Sequence, residues 1–495
     1  MTRKKVLWVL TIFILAAVML FLTDYPSANI KQSTFNKLNK IRQSKKQAVF
    51  DYFNDASSTA KSIINDKFMV RSFEILKESG KGDNGDLEFK IDEHYVSKYN
   101  KFYDILFVDS SGFVFHSIKK ETDYHTNLIS GSQSSSKLAR ALQEKSSGKF
   151  IEFEHYGPSD EPAAFFYIPV YKGNEHSGWF ILQCALNRIK TILADRSELG
   201  RTGEVYLVNR QKLMLTDSRF MEDSTALKLK VDTAAVNEAL KVNSGNKIIE
   251  DYRHVKVFSS YEKFNLFNVE WIIIAEIDES EVITEYFKKY KRHFLKDIIR
   301  GASELPRHKY PNKQHDSKLK RIDIDEFAKA AVDTQLVTYG VASCTAIAIV
   351  VPDRFAYLVH ISPTDEIYIT NPITKLFLKD KYHNLLGNLI ERIKRYDVYA
   401  GELNKIKVTV IAPHSRSVDK IITTVLNNDI ELSNIKYIFN PGARNANVFL
   451  DHTGRNLDVE WVGDGVSYTE YADEIVDLGS VMKKLINYDN ESHGD

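Results

Sequence analysis

A chain of 495 residues is too long for one compact core and implies roughly two to four domains. Its 43% hydrophobic and 27% charged residues are ordinary for globular domains, and a net charge of +1 offers neither the basic field of a nucleic-acid binder nor an acidic tail. Two cysteines exclude a disulfide framework and a four-thiolate zinc site.

The chain opens on "MTRKK", residues 1–5, followed by "VLWVLTIFILAAVMLFLT", residues 6–23, which carries no charge. That length just spans a bilayer. "YPSANIK" offers only a poor small-residue site for signal-peptide cleavage, so the stretch reads as an uncleaved signal anchor. Arg3, Lys4 and Lys5 before it and Asp24 after it keep the N-terminus in the cytoplasm and send the rest across. The later apolar runs, "WIIIAEI" and "CTAIAIVV", have the length of buried strands. The expected location is therefore a bacterial inner membrane, crossed once, with the bulk of the chain periplasmic or extracellular.

Residues 30–80 read as one long helix. Proline and glycine are absent until Gly80, and Phe35, Leu38, Ile41, Val49 and Phe53 recur at helical spacing. Strand patterns follow. "YDILFVDSSGFVFHS", 103–117, reads as two strands around Asp109–Gly112, and "KFIEFEHYG", "AAFFYIPVYKG" and "SGWFILQCAL" as three more. After a helical "NRIKTILADRSEL", the pattern repeats. "GEVYLVNRQKLMLTDS", 203–218, reads as strand, turn, strand, and "GNKIIEDYRHVKVFSSYEKF" and "VEWIIIAEIDESEV" complete a second set.

A long helix leading into two β-rich units, with "YDILFVDSSGFVFHS", "GRTGEVYLVN" and a closing "WIIIAEIDESEV", resembles the double Cache sensor domain of bacterial receptors over about 30–285. The resemblance implies an α+β, PAS-like fold and a small-molecule site in the distal unit. Tyr103, Asp104, Tyr167 and Tyr171 are the polar or amphipathic groups on or beside the distal strands and are the candidate ligand contacts. Strand packing is the competing reading of all four. In that receptor family a second membrane helix follows the sensor. Here "TEYFKKYKRHFLKDIIRG" stands in its place and is too charged to enter lipid. Residues 286–321 are read as a charged helix and a linker.

From 322 to 490 the pattern alternates. A helix is expected at "DIDEFAKAAVD", strands at "QLVTYGV", "CTAIAIVV" and "FAYLVHIS", a helix at "DKYHNLLGNLIERIKRY", a strand at "IKVTVIAP", a helix at "SVDKIITTVLNND" and a strand at "IKYIFN". "NVFLDHTGRNLDVEWV" reads as a hairpin. This is the order of a sheet covered by helices. Cys344 begins one strand of a hairpin and His360 lies on the other. A loop of three or five residues puts the two on one face, within about 5–8 Å; a loop of two or four puts them on opposite faces. A lone cysteine on an apolar strand is usually core, and that reading stands beside the catalytic one.

"TYGVASC" followed by "YLVHISP" resembles the chemoreceptor glutamine deamidase (CheD) family, in which a Thr-x-Gly-x-Gly-Ser-Cys segment precedes a His-containing strand. The matching positions are Thr338, Gly340, Ser343, Cys344 and His360, and Ala342 replaces the second glycine. "GARNANVFLDHTGR" resembles that family's C-terminal hairpin. The resemblance implies an α/β sandwich and a Cys–His amidohydrolase. Cys344 would be the nucleophile, His360 the base, Thr338 the group that sets the histidine tautomer, and the backbone at Ser343–Cys344 the oxyanion site. No metal or other cofactor is expected. The expected partners are the lipid bilayer, a small-molecule ligand at the distal unit, a protein substrate or partner and a second copy of the chain in a homodimer, with no nucleic acid. The alternative is a non-enzymatic ligand-sensing protein whose C-terminal domain only docks a partner.

Overall fold

The computed structural model describes residues 30–79, 85–144, 150–290, 318–362, 385–398, 403–412, 418–440, 443–463 and 466–471. The anchor at 6–23 and most of the linker at 286–321 lie outside them. Among the described residues no helix is long and apolar enough to cross a membrane. The chain divides into one unit of Ser33–Glu279 and another holding Ser280–Asp495 with the first 32 residues.

In the first unit the expected long helix breaks. It runs Ile30–Ser62, tightens into a 3-10 turn at Ile63–Asn65, and restarts as Lys67–Ser79. Asp66 causes the restart. Its Oδ1 accepts from the backbone amides of Phe68 (3.1 Å) and Met69 (3.3 Å), so it caps the second helix. Lys98, His94 and Tyr99 surround its other oxygen and hold the carboxyl far below the usual range against its own burial. A further helix, Gly85–Lys98, carries those three partners or leads directly into them.

Strands β1 (Asp104–Asp109), β2 (Val114–Ser117), β3 (Phe150–Tyr156), β4 (Glu161–Lys172) and β5 (Glu175–Ala185) form an antiparallel sheet in the order β2-β1-β5-β4-β3. The helix Leu186–Ala194 leads to a second antiparallel sheet. Its strands β6 (Glu204–Asn209), β7 (Ser244–Glu250), β8 (Lys256–Leu266) and β9 (Val269–Asp278) run in the order β6-β9-β8-β7. The long helix packs along both sheets. Phe53 sits edge-on to Phe150 and Trp271, Phe35 edge-on to Phe258, and Arg42 donates to the Ser260 hydroxyl and the Tyr261 carbonyl. Burying one such phenylalanine contributes about 2–3 kcal/mol, so the periodic apolar face tethers the helix.

The second of the two strands expected within 203–218 shrinks to isolated bridges. Met214 bridges Val208, while Leu213 bridges Lys230 instead. The Asn209 side chain accepts from the Leu213 amide, and Lys212 adopts φ 65°, so the chain turns away before a ladder can form.

In the second unit, β10 (Lys318–Arg321), β11 (Glu326–Lys329), β12 (Thr334–Val341), β13 (Thr345–Val351), β14 (Phe355–Ile361), β15 (Lys407–Ala412), β16 (Ile435–Phe439), β17 (Asn445–Leu450), β18 (Leu457–Gly463) and β19 (Val466–Tyr471) build two sheets. Their orders are β10-β12-β17-β18-β19 and β11-β14-β13-β15-β16. The helix expected at 323–333 is instead partly β11, paired with β14. Asp325 takes φ 62° and starts the strand, and the open edge of β14 overrides a helix-favouring composition.

Alternation makes β13 and β14 two-faced. Ile347, Ile349, Val351, Tyr357 and Val359 pack under the helices Leu385–Tyr396 and Val418–Asn427. Ala346, Ala348, Val350, Ala356 and Leu358 face the other sheet, meeting Val341, Val448 and Trp461. The layers are thus helices, sheet, sheet, with the small alanines allowing the two sheets to close.

Candidate functional site

The β13–β14 hairpin has a three-residue loop. Val351 pairs with Phe355, and the register runs through Ala346 opposite His360 to Thr345 opposite Ile361. Cys344 precedes the first paired residue of β13. It lies two positions before Ala346 and shares the inter-sheet apolar cluster with it. His360 therefore belongs to the face that carries Cys344. The histidine is 1% exposed and Cys344 9%.

Thr338 reaches the same place from the opposite sheet because β12 is bulged. Thr338 pairs with Val448 and Val341 with Ala446, three steps on one strand against two on its neighbour. Gly340 sits in the bulge at φ 69°, a conformation that costs other residues about 1 kcal/mol or more. The extra residue turns both Thr338 and Val341 inward, each fully buried, while Tyr339 stays exposed. The Gly340 amide donates to Asn447 Oδ1 at 3.1 Å, which pins the bulge.

Thr338 Oγ1 lies 2.7 Å from His360 Nδ1 and 2.9 Å from the Ile322 carbonyl oxygen. A carbonyl only accepts and a hydroxyl has one proton. The threonine proton is thus committed to Ile322, and Nδ1–H must donate to Thr338. The imidazole is held in the tautomer whose Nε2 bears a lone pair. That Nε2 is buried and, among the described residues, has no hydrogen-bond partner. Burial lowers the histidine pKa below its ordinary value, opposed by Asp325 and Asp323, so the ring is neutral at neutral pH. Asp325 also ties down the end of β14. Its amide donates to the His360 carbonyl at 2.7 Å, and its carboxylate accepts from the Ser362 amide and hydroxyl. Ser343, beside the thiol, is exposed.

Of the four candidate ligand contacts in residues 30–285, Tyr103 and Asp104 are chain neighbours at the start of β1, and Tyr167 and Tyr171 lie on β4. Asp104 is buried and accepts from the Ser117 hydroxyl and the amides of Ile105, Ile118 and Lys119. Burial nevertheless pushes its carboxyl up to about 6. The Tyr103 hydroxyl donates to Glu121 at 2.6 Å. Tyr167 is part of the apolar core, and Tyr171 is 58% exposed beside His176.

Sequence reasoning missed a polar network in the second sheet of the same unit. Glu204 on β6 pairs directly with Glu276 on β9, both buried. Tyr206 donates to Glu276, and Tyr252 to Glu204. Burial raises both carboxyls, that of Glu276 up to about 8. The signal was available: Glu204 shares the period-two face of Tyr206 and Val208, and Glu276 that of Ile272 and Ile274, all of them core positions. Among the described residues, no group of three His, Cys, Asp or Glu side chains could hold a metal ion.

No family model and no curated protein matches the chain. Solved structures of bacterial sensor domains do resemble it. The periplasmic sensory domain of the Campylobacter jejuni chemoreceptor Tlp1 is 14% identical, with TM-score 0.38, over 51% of this chain and 98% of that one. The ligand-binding domain of the Pseudomonas aeruginosa amino-acid chemoreceptor PctC, solved with GABA, is 13% identical, with TM-score 0.36, over 50% and 100%. An extracellular ligand-binding receptor from Desulfohalobium retbaense is 13% identical, with TM-score 0.35, over 48% of this chain and 39% of its own length.

Proposed function

We propose that the second unit is a thiol-dependent amidohydrolase acting on protein glutamine side chains, tethered behind a sensor unit that binds a small molecule outside the cytoplasm. The observation that carries the enzymatic reading is the Ile322–Thr338–His360 relay. It leaves one bare imidazole nitrogen in a buried position on the strand face that also carries Cys344. The sensor reading rests on the sequence motifs of residues 30–285, and the membrane tether on the apolar run behind Arg3, Lys4 and Lys5.

In this mechanism Nε2 of His360 takes the Cys344 proton, and the thiolate attacks the carboxamide carbon. Negative charge gathers on the carboxamide oxygen, beside the backbone of Ser343 and Cys344. The C–N bond breaks as His360 returns the proton to nitrogen, and ammonia leaves a thioester. Water then adds with Nε2 accepting its proton, and the thiol is released with a glutamate carboxylate in place of the amide. A primary amine in place of water would give transglutamination at the same thioester.

The test uses the whole chain and its two cysteines. Cys184 is fully buried and its thiol pushed far up by burial, so iodoacetamide reads Cys344. Cys344 is expected to alkylate faster near pH 7 than a free thiol, and His360→Ala to remove the advantage. The purified protein should release ammonia from a glutamine-rich protein such as casein, and Cys344→Ala should not. An alkylation rate indifferent to His360→Ala, or ammonia release that persists in Cys344→Ala, overturns the reading.

A further inference from the structure

A cleft of about 250 Å³ opens in the Ser33–Glu279 unit, between the helix Leu186–Ala194, the start of β6 and the returning segment 216–219. Lys190, Leu193, Arg196, Glu204, Thr216 and Arg219 line it. Most of its polar groups are already committed. Glu204 accepts from the Arg219 amide at 2.8 Å and from the Tyr252 hydroxyl. Asp217 pairs with Lys190 at 2.6 Å and accepts from the Ser224 hydroxyl and the amides of Thr225 and Ala226. Arg219 donates to the Gly203 carbonyl and lies over the Phe220 ring.

Two groups are left. Thr216 is 3% exposed, and its buried hydroxyl has no hydrogen-bond partner among the described residues, against the strong rule that buried hydroxyls are paired. Arg196, at the exposed mouth, has no side-chain partner among the described residues. Leu193 and Val205, both 5% exposed, add an apolar wall.

We infer that this cleft binds a small monocarboxylate carrying an oxygen on the carbon next to the carboxylate, a 2-hydroxy or 2-oxo acid. One uncommitted guanidinium at the mouth matches one carboxylate. One buried hydroxyl donor inside matches the adjacent oxygen, and Leu193 and Val205 match a short alkyl end. The volume suits a ligand of a few heavy atoms rather than a drug-sized one. A second carboxylate would face Glu204 and Asp217, while of the other lining cations Lys190 is paired with Asp217 and Arg219 is turned to the Gly203 carbonyl. The ligand would rest beside Glu204, whose carboxyl leads through Tyr252 to Ser218. The inference stands apart from the thiol chemistry proposed above.

The experiment is calorimetric titration of the full chain with lactate, pyruvate and propionate. Lactate and propionate differ by the one hydroxyl that Thr216 is to read. Lactate should bind saturably and propionate roughly three- to tenfold more weakly, the size of one hydrogen bond. Thr216→Val should reduce lactate to the propionate level and leave propionate unchanged, which also reports that the variant is folded; Thr216→Ser should restore the difference. Arg196→Ala, at an exposed position, should weaken all three by about tenfold. Cys344→Ala should bind lactate as the unmodified chain does, which separates this result from the fate of the amidohydrolase. Absence of saturable binding of both lactate and pyruvate at millimolar concentration overturns the inference. So does lactate binding that Arg196→Ala leaves unchanged, because the ligand would then sit elsewhere.

Discussion

The hydroxyl of Thr338 bridges two strands' worth of chemistry, accepting from His360 Nδ1 at 2.7 Å while donating to the Ile322 carbonyl at 2.9 Å. Removing it should have two separable effects. Thr338→Val leaves a carbonyl and an imidazole N–H buried and unpaired, which should cost about 1–3 kcal/mol of stability. It also frees the ring to place its proton on Nε2, so the pH profile of Cys344 alkylation should move toward that of an unassisted thiol. Thr338→Ser keeps the hydroxyl and should restore the profile even if the lost methyl lowers stability. A Thr338→Val protein that alkylates with the unmodified profile would show that the relay does not set the tautomer.

Gly340 is the device that aims Thr338, and its cost can be estimated. Its φ is 69°, and nothing lies within 4 Å of an added Cβ, so Gly340→Ala pays only backbone strain. The expected loss is about 1 kcal/mol, or roughly 2–4 °C in Tm for a domain of this size. Gly340→Val should lose more, because a β-branched residue tolerates that conformation worst. Equal melting of the alanine variant and the unmodified chain would mean that the bulge relaxes, and the alkylation profile should then shift as Thr338 is re-aimed.

Where a strand is buried on both faces, an apolar run of strand length was enough to place it, as for β13 and β14. Of the loop lengths that would put Cys344 and His360 on one face, the hairpin has the three-residue one, with Val351 opposite Phe355. Thr338 could be named beside His360 only through a family resemblance, because the bulge that aims it breaks the very alternation used to read strands. The misread segments share another cause. Residues 326–329 have a helical composition but fill the edge of β14, and 213–216 divide their pairing between Val208 and Lys230. Both outcomes depend on partners distant in sequence, which local propensity does not see. Asp66 is a further case: an acid within an unbroken helical pattern reads as surface until its side chain is seen capping the next helix.

The Glu204–Glu276 pair should make the Ser33–Glu279 unit less stable as pH rises. Glu276 titrates at about 8 when folded against 4.5 ordinarily, because burial penalises its charge, with Asp251 and Glu204 adding repulsion. A carboxyl raised in the folded state holds its proton there longer than in the unfolded chain. Its contribution is fully present below about pH 4.5 and is lost as pH climbs through 8. The span is at most about 5 kcal/mol. Glu276→Gln mimics the protonated form and keeps the Tyr206 contact. Its advantage over the unmodified chain should therefore grow between pH 5 and 8, as followed by urea unfolding. A stability difference independent of pH in that window would show that Glu276 is not the titrating group.

His116 should produce the opposite slope at lower pH. Its ring is 1% exposed, both nitrogens are buried and have no hydrogen-bond partner among the described residues, and it meets the Phe107 ring edge at 4.9 Å between centroids. Burial lowers its pKa to about 4 from 6.5, with Lys120 lowering and Glu88 raising it. Between those values the unfolded chain binds a proton that the folded chain refuses, so stability is lost as pH falls from about 6.5 toward 4, by about 3 kcal/mol at most. Asp104, raised to about 6, works against this in an overlapping window, so the whole-protein curve mixes the two. The comparison of His116→Phe with the unmodified chain isolates the histidine. The substitution removes two unsatisfied nitrogens and keeps an aromatic ring against Phe107, so it should be neutral or stabilising at pH 7. Its advantage should grow steadily on acidification to pH 4.5. A constant difference across that range would mean that the ring protonates without penalty, and a large loss at pH 7 would mean that its nitrogens are paired after all.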